Sequence, residues 1–264
     1  MSDRYYYNGS RYVPSGTTVI GMLDKPFLKQ WAADCAVDYI DTCYNDPDMI
    51  WANVEKKARK AYVQESMEAA DYGTYIHKLC EVSLTDDIKI ESPHELTQKF
   101  MDGLWAWKTK HKVKVIAMEH EVVTDTYGGR IDLMCEMDGV VTLVDFKTGA
   151  GAYYDTWKYQ LAGYRQAWNS DVISHALQDE YDTNGTTKDF NFESVTKAIK
   201  SNGILKFNKK TGKVNYKAFD EYQATRTNPE TKEKEKYTRN YETDRATFNS
   251  LVANWWLVKR GIEI

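Results

Sequence analysis

Two acids and a lysine define the chemistry available to this chain. Asp132 lies in Gly129-Arg130-Ile131-Asp132-Leu133; Asp145 and Lys147 lie in Leu143-Val144-Asp145-Phe146-Lys147-Thr148-Gly149. Side chains alternate faces along a strand, so Asp145 and Lys147 share one surface while Val144 and Phe146 enter the opposite layer. If Asp138-Gly139 turns the chain as a hairpin, Asp132 comes alongside Asp145. Two carboxylates at that separation are poor neighbours unless a cation lies between them, and hard oxygen ligands suit Mg²⁺ or Mn²⁺. An ammonium beside such an ion can hold an attacking water or a phosphate oxygen, which is what phosphodiester hydrolysis requires. Taken alone, the same residues fit ordinary strand-end or surface acids with an exposed lysine partner.

The surrounding pattern supplies the elements that must position them. Thr17 or Thr18 is expected to cap a short helix, and Asp24-Lys25-Pro26 to break it before a second carrying Phe27, Leu28, Trp31, Ala32 and Cys35. A helix from about Asp48 to Glu65 follows, then another with Tyr72, Ile76, Leu79, Cys80 and Val82. Ser92-Pro93-His94-Glu95 reads as a capping box that opens a helix through Phe100, Leu104 and Trp107. After Lys112 the period shortens. Val113 to Glu119, Tyr127-Gly128-Gly129 and Met137-Asp138-Gly139 predict three strands in meander order. A helix from about Tyr153 to Trp168 follows, and Asp182-Thr183-Asn184-Gly185 is a polar stretch without an assignment. Leu205 to Asn208 and Val214 to Tyr216 flank Lys209-Lys210-Thr211-Gly212-Lys213 as a hairpin. Thr225 to Arg239 is highly charged and is expected to be a solvated, mobile loop. The last element is an amphipathic helix with Phe248, Leu251, Val252, Trp255 and Trp256.

At 264 residues with 42% apolar side chains, the chain can bury an ample core, and one cooperative unit is expected. Its net charge of −4 argues against a protein that coats nucleic acid by charge alone, yet leaves room for a local basic groove. Cys35, Cys43, Cys80 and Cys135 form no Cys-x-x-Cys pair, so they read as free thiols of a reducing compartment rather than a zinc or iron–sulfur site. Met1 to Tyr7 has no apolar signal core, and no run approaches the roughly 20 apolar residues of a membrane span. A cytoplasmic protein is expected.

Three further segments align with this centre in a recognisable order. Gly73-Thr74-Tyr75-Ile76-His77-Lys78-Leu79-Cys80-Glu81 resembles a helical Gly-x-x-x-His-x-x-x-Glu motif. Ala117-Met118-Glu119 resembles a first-strand glutamate, Asp132 a second-strand aspartate, Asp145-Phe146-Lys147 the Asp-x-Lys strand, and Gln160-Leu161-Ala162-Gly163-Tyr164 the Gln-x-x-x-Tyr helix that follows. The set resembles the PD-(D/E)XK nuclease superfamily, in particular its RecB-type and phage exonuclease branch. Val13 to Thr18 through Leu23 to Pro26 resembles the front helices of phage members, so the resemblance covers roughly residues 13 to 170. The cysteine spacing of cluster-bearing relatives is absent, which points to the branch without an iron–sulfur cluster.

That resemblance implies an α/β fold, a mixed central sheet flanked by helices. It gives a single nuclease domain over 1–264, with a mainly helical front section (1–112), a catalytic core (113–170) and added strands, a charged loop and a final helix (171–264). His77, Asp132 and Asp145 are then metal ligands, with the Phe146 carbonyl as a fourth, for one or two Mg²⁺ or Mn²⁺ ions and no nucleotide cofactor. Lys147 positions the attacking water, and Glu119, Gln160 and Tyr164 complete the site. Glu121 lies on the same face of the expected strand as Glu119, and only the motif position favours Glu119. The implied activity is DNA exonucleolysis in recombination, repair or phage DNA processing, in a bacterial cell or phage-infected host. The substrate is single- or double-stranded DNA with an end, and a recombination or single-strand-binding protein is a conceivable partner. An endonuclease of the same superfamily and a non-catalytic DNA-binding or inhibitory module are the alternatives.

Overall fold

A computed structural model describes residues 4–23, 25–44, 46, 50–149, 151–181, 198–228 and 230–260. The unassigned polar stretch at Asp182 to Gly185 lies outside the described residues. The chain divides into two compact units: Leu23–Leu79, and Met1–Met22 with Cys80–Ile264.

The smaller unit is helical. α2 (Pro26–Cys43) has proline at its start, as expected, because a missing N–H costs nothing in the first turn. α3 (Trp51–Ala58) buries Val54 and Ala58, and α4 (Ala61–Thr85) begins in this unit. The chain breaks at Arg59-Lys60 rather than after Glu65, so the two expected helices become α3 and one long α4 that runs through Gly73.

The larger unit is built on a five-stranded mixed sheet flanked by helices. β3 (Lys114–Val123), β4 (Gly128–Met137) and β5 (Val140–Thr148) form the expected antiparallel meander. Asp138 (φ 52°) and Gly139 (φ 81°) link β4 to β5 in a two-residue turn with both φ positive, the geometry that matches strand twist. β6 (Ser201–Phe207) runs parallel to β5, and β7 (Val214–Ala218) returns as the expected hairpin partner. The long α6 (Asp155–Tyr181) sits in the crossover between the parallel strands, extending well beyond the expected end at Trp168.

Alternation divides the sheet's faces. Phe146 and Phe207 pack on Phe100 of α5 (Glu95–Lys110), with Phe207 5.5 Å from the Phe100 ring; all three are fully buried. Asp145 and Lys147 therefore face the other layer, where α6 lies. α6 also packs on α7 (Tyr241–Arg260), where Phe248 fills the space above Gly163.

Three local expectations need correction. Ser15, not Thr17 or Thr18, caps α1 (Gly16–Ile20): its Oγ accepts from Thr18 N at 3.0 Å, which frees the Thr18 hydroxyl to accept from Arg4 N. α5 begins at Glu95 with His94 as N-cap and no capping side chain. Ser92 instead donates its backbone N–H to Gln98 Oε1, because Pro93 keeps the chain extended past Ser92. The polar start contains a hairpin, β1 (Tyr5–Tyr7) with β2 (Tyr12–Pro14), turned at Asn8-Gly9 and joined to β4 through the Ser15–Gly128 bridge.

The charged stretch expected to be a mobile loop is also ordered. β8 (Glu221–Thr227) and β9 (Lys234–Asn240) pair along their full length. Tyr222 and Ala224 on one strand and Glu235, Tyr237 and Arg239 on the other are at least half-buried between exposed neighbours, so a period of two hides beneath the charge. Its base is fastened by Asp244 in the first turn of α7, which accepts from the Tyr222 hydroxyl at 2.9 Å and the Arg239 guanidinium at 2.7 Å. Arg239 also donates to the Tyr159 hydroxyl on α6. Because Arg239 and Asp244 are both buried, Asp244→Ala leaves an uncompensated guanidinium and is expected to destabilise the larger unit by about 3–5 kcal/mol. Chemical denaturation measures this; a loss below about 1 kcal/mol contradicts a buried, structural pair.

Candidate metal centre

The meander places four of the expected residues together. Leu133 and Val144 are the last paired residues at this end of the β4–β5 ladder. One step further, Asp132 and Asp145 stand opposite one another. Asp132 Oδ2 accepts the Phe146 backbone N–H at 2.7 Å, replacing a ladder bond with a side-chain bond. The Phe146 carbonyl leaves the strand on the same side as its N–H, towards this carboxylate. Asp145 is almost completely buried, and Lys147, two residues on, forms an ion pair with its Oδ2.

Glu119 enters from β3 by an irregular backbone. The β3–β4 register pairs Met118 with Leu133 and His120 with Ile131, which sets Glu119 against Asp132, yet Glu119 itself drops out of the ladder. Its φ is 48°, a left-handed conformation that costs a non-glycine residue on the order of 1 kcal/mol. The register thus sets Glu119 beside Asp132, whereas Glu121 pairs with Arg130. One carboxylate oxygen of Glu119 and one of Asp132 lie within 4.8 Å of each other. Glu121 is exposed and lines a separate recess with Arg4, Tyr5, Tyr6, Tyr7 and Arg130.

The charges confirm how closely these groups sit. Asp132 is held well above the usual carboxylate range, first by burial and then by Asp145; Lys147 and the Phe146 N–H oppose the shift, and Glu119 adds to it. A carboxylate so placed resists ionisation until a cation joins it. Glu119, Asp132 and Asp145 are thus a donor set that fits a hard divalent ion, on the ground of their chemistry and of the repulsion that Asp145 and Glu119 exert on Asp132.

Behind them stands α6. Gln160 and Tyr164, one turn apart and both buried, are joined by a 3.3 Å bond from Gln160 Nε2 to the Tyr164 hydroxyl. Burial, Asp145 and Asp132 raise the Tyr164 phenol, so it remains a neutral donor beside the acids. Gly129 is required here: a Cβ at this position would run into the Tyr164 ring.

α4 approaches through its last turns. Cys80 is fully buried, and its thiol is pushed up by desolvation and by the charge of Asp132. Ser83, next on the same stripe, accepts from Trp105 Nε1 on α5 at 2.9 Å. His77 is half-buried and lies three residues before Cys80, hence on the same side of a continuous helix.

Two residues of this neighbourhood carry no role in the sequence reading. Arg130, two before Asp132 on β4, places Nη1 3.8 Å from Glu119 Oε2; its i, i+2 relation to Asp132 was the available signal. Lys206 is the register partner of Lys147 across the parallel β5–β6 pair, a relation that no local pattern reveals. A groove of about 840 Å³ in the helical unit is lined by charges of both signs, Lys56, Lys57 and Lys60 with Asp34, Asp38 and Glu65. No helix among the described residues is long and apolar enough to cross a membrane. No protein-family model matches the chain, and no curated protein matches it.

Proposed function

We propose that this protein is a Mg²⁺- or Mn²⁺-dependent deoxyribonuclease of PD-(D/E)XK type, acting as an exonuclease in the cytoplasm of a bacterial or phage-infected cell. The observation that carries the reading is the gathering of Glu119 and Asp145 around Asp132 where β4 and β5 separate, with Lys147 ion-paired to Asp145. Asp132 and Asp145 would hold the ion with the Phe146 carbonyl, and Glu119 is placed to add a further oxygen. His77 is proposed as the nitrogen ligand on its place in the Gly73-x-x-x-His77-x-x-x-Glu81 pattern. Once bound, the ion supplies charge neutralisation at a phosphate oxygen and a lowered pKa for water.

The protein's own groups do the rest. Lys147 donates to the attacking water or to a non-bridging phosphate oxygen as negative charge develops there. Asp145 fixes the lysine through their ion pair. Gln160 and Tyr164 offer an amide and a neutral hydroxyl that orient the carboxylates or the substrate phosphate. The strain at Glu119 fits a position maintained for function rather than for folding.

End dependence tests the mode of action. With Mg²⁺ or Mn²⁺, linear DNA is expected to be degraded to nucleotides or short products while closed circular DNA of the same sequence survives. Nicking or linearisation of the circle indicates an endonuclease on the same centre. Binding of DNA without cleavage under any divalent ion overturns the catalytic reading in favour of a binding module.

A further inference from the structure

A ladder of aromatic rings begins beside Lys147 and crosses the α6 side of the sheet towards β7. Trp157 stacks edge-on with Tyr154 at 5.0 Å and with Tyr153 at 6.2 Å, and Tyr153 continues to Phe219 at 5.7 Å. Lysines follow the rings. Lys147 Nζ lies 6.0 Å from the Trp157 centroid, and Lys206 and Lys217 lie 5.1 Å and 5.3 Å from that of Tyr153.

The sheet dictates this alignment. Lys147 and Lys206 are partners in the parallel β5–β6 pair, and Lys217 stands opposite Ile204 in β6–β7, so all three project from one face of neighbouring strands. Lys206 donates to the Gly151 carbonyl and so fixes the loop that presents Tyr153 and Tyr154. Lys217 is exposed, while Tyr153, Tyr154 and Trp157 are half-buried, each with part of its ring open. Among the described residues neither Lys206 nor Lys217 pairs with a carboxylate.

A surface needing only solubility does not order half-open rings between cations. Core packing explains the fully buried Phe219, and an aliphatic lysine stem over a ring explains part of Lys206. Neither explains a sequence of open rings and unneutralised ammonium groups that starts at the candidate centre. Rings take up the faces of bases, and ammonium groups take up the phosphates between them.

We infer that Tyr153, Trp157 and Lys217 form a subsite for an unpaired DNA strand, continuing from the phosphate at Lys147 towards β7. The inference rests on the nuclease reading for the direction of the strand. Bases within a duplex already stack on one another, so this subsite selects an end whose last nucleotides are separated. Tyr153 and Trp157 hold a base, and Lys217 holds the following phosphate.

Binding without chemistry tests it. In EDTA, fluorescein-labelled oligothymidylate is expected to bind the wild-type protein more tightly than a blunt hairpin duplex of equal charge. Tyr153→Ala and Lys217→Ala should each weaken oligothymidylate binding by about tenfold. Lys217→Ala should also reduce the salt slope by about 0.7, the share of one phosphate on a single strand. Tyr153→Phe should bind as the wild type does. Lys110→Ala, at the end of α5 on the opposite face, should change nothing. A 2-aminopurine in the oligonucleotide should be quenched by the wild-type protein and not by Tyr153→Ala. Preference for the duplex, equal losses for both forms, or unaltered binding by Lys217→Ala and Tyr153→Ala each overturns the subsite. The two readings fail separately: cleavage with normal binding by these variants removes the subsite alone, whereas the expected binding without cleavage under any divalent ion removes the nuclease reading alone.

Discussion

Lys147→Ala is expected to lower divalent-ion-dependent DNA cleavage by about 10³-fold, the scale on which removal of a preorganised donor to developing charge is felt. In the proposed reaction Lys147 would donate to the phosphate, and its ion pair with the nearly buried Asp145 holds it on that side of β5. The substitution also leaves Asp145 without its counter-charge, so the melting temperature must be measured beside the rate. Asp145→Asn provides the complementary case, because it keeps the volume and removes the ligand charge. Both variants should lose cleavage of end-labelled DNA while retaining a cooperative melt. Activity within tenfold of the wild type in both, with the fold intact, would eliminate the assignment of this centre.

The second large effect has the opposite sign for stability. Asp132→Asn is expected to raise the melting temperature of the metal-free protein and to abolish cleavage. The carboxylate is held above its ordinary value by burial and by Asp145, so its charged form is disfavoured in the folded state. A group whose folded pKa is raised contributes stability that is fully present below the unfolded value, near 3.8, and that is lost as pH rises through the folded value. As pH rises above about 3.8 the metal-free wild type therefore loses that contribution progressively. Asparagine cannot ionise, and its amide oxygen still accepts the Phe146 N–H. The gain should appear as about 2–4 °C for each kcal/mol recovered. Mn²⁺ should raise the wild-type melting temperature, more at pH 8 than at pH 6 because binding must displace the proton, and should leave Asp132→Asn unmoved. An Asp132→Asn protein less stable than the wild type at pH 8 without metal, or equally stabilised by Mn²⁺, would contradict this account. The arrangement exemplifies a site that gives up stability to keep like charges together.

Local pattern revealed most of the framework. The meander from Lys114 to Thr148, the β6–β7 hairpin, the proline start of α2 and the amphipathic α7 follow from short-range period and turn chemistry, and Asp138-Gly139 is the clearest instance. The N-terminal hairpin has its signal in Asn8-Gly9 between tyrosine runs, a turn that no expectation covered. The β8–β9 hairpin stayed hidden because Arg239, buried by its pairing with Asp244, reads in sequence as one more exposed charge. Within the candidate site, the sharing of a face by Asp145 and Lys147 and the placing of Asp132 beside Asp145 were legible from alternation and a turn. The left-handed backbone of Glu119 was not, since no residue type marks it. Lys206 beside Lys147 depends on a parallel register whose partners lie far apart in the chain.

The parallel pairing of β5 with β6 also governs how this protein is made. Val140–Thr148 can pair with β4 as soon as the meander is synthesised, but its other edge stays open until Ser201–Phe207 has left the ribosome and α6 has been laid across. Long-range parallel pairing is slow to form because the intervening chain must first be ordered. During that interval the strand carrying Asp145 and Lys147 presents unpaired backbone flanked by Leu143, Val144 and Phe146, a template for strands of other nascent chains. The same strand that supplies the reactive groups is thus the point at which overexpression invites inclusion bodies, and slower synthesis at lower temperature is the condition under which soluble yield should rise.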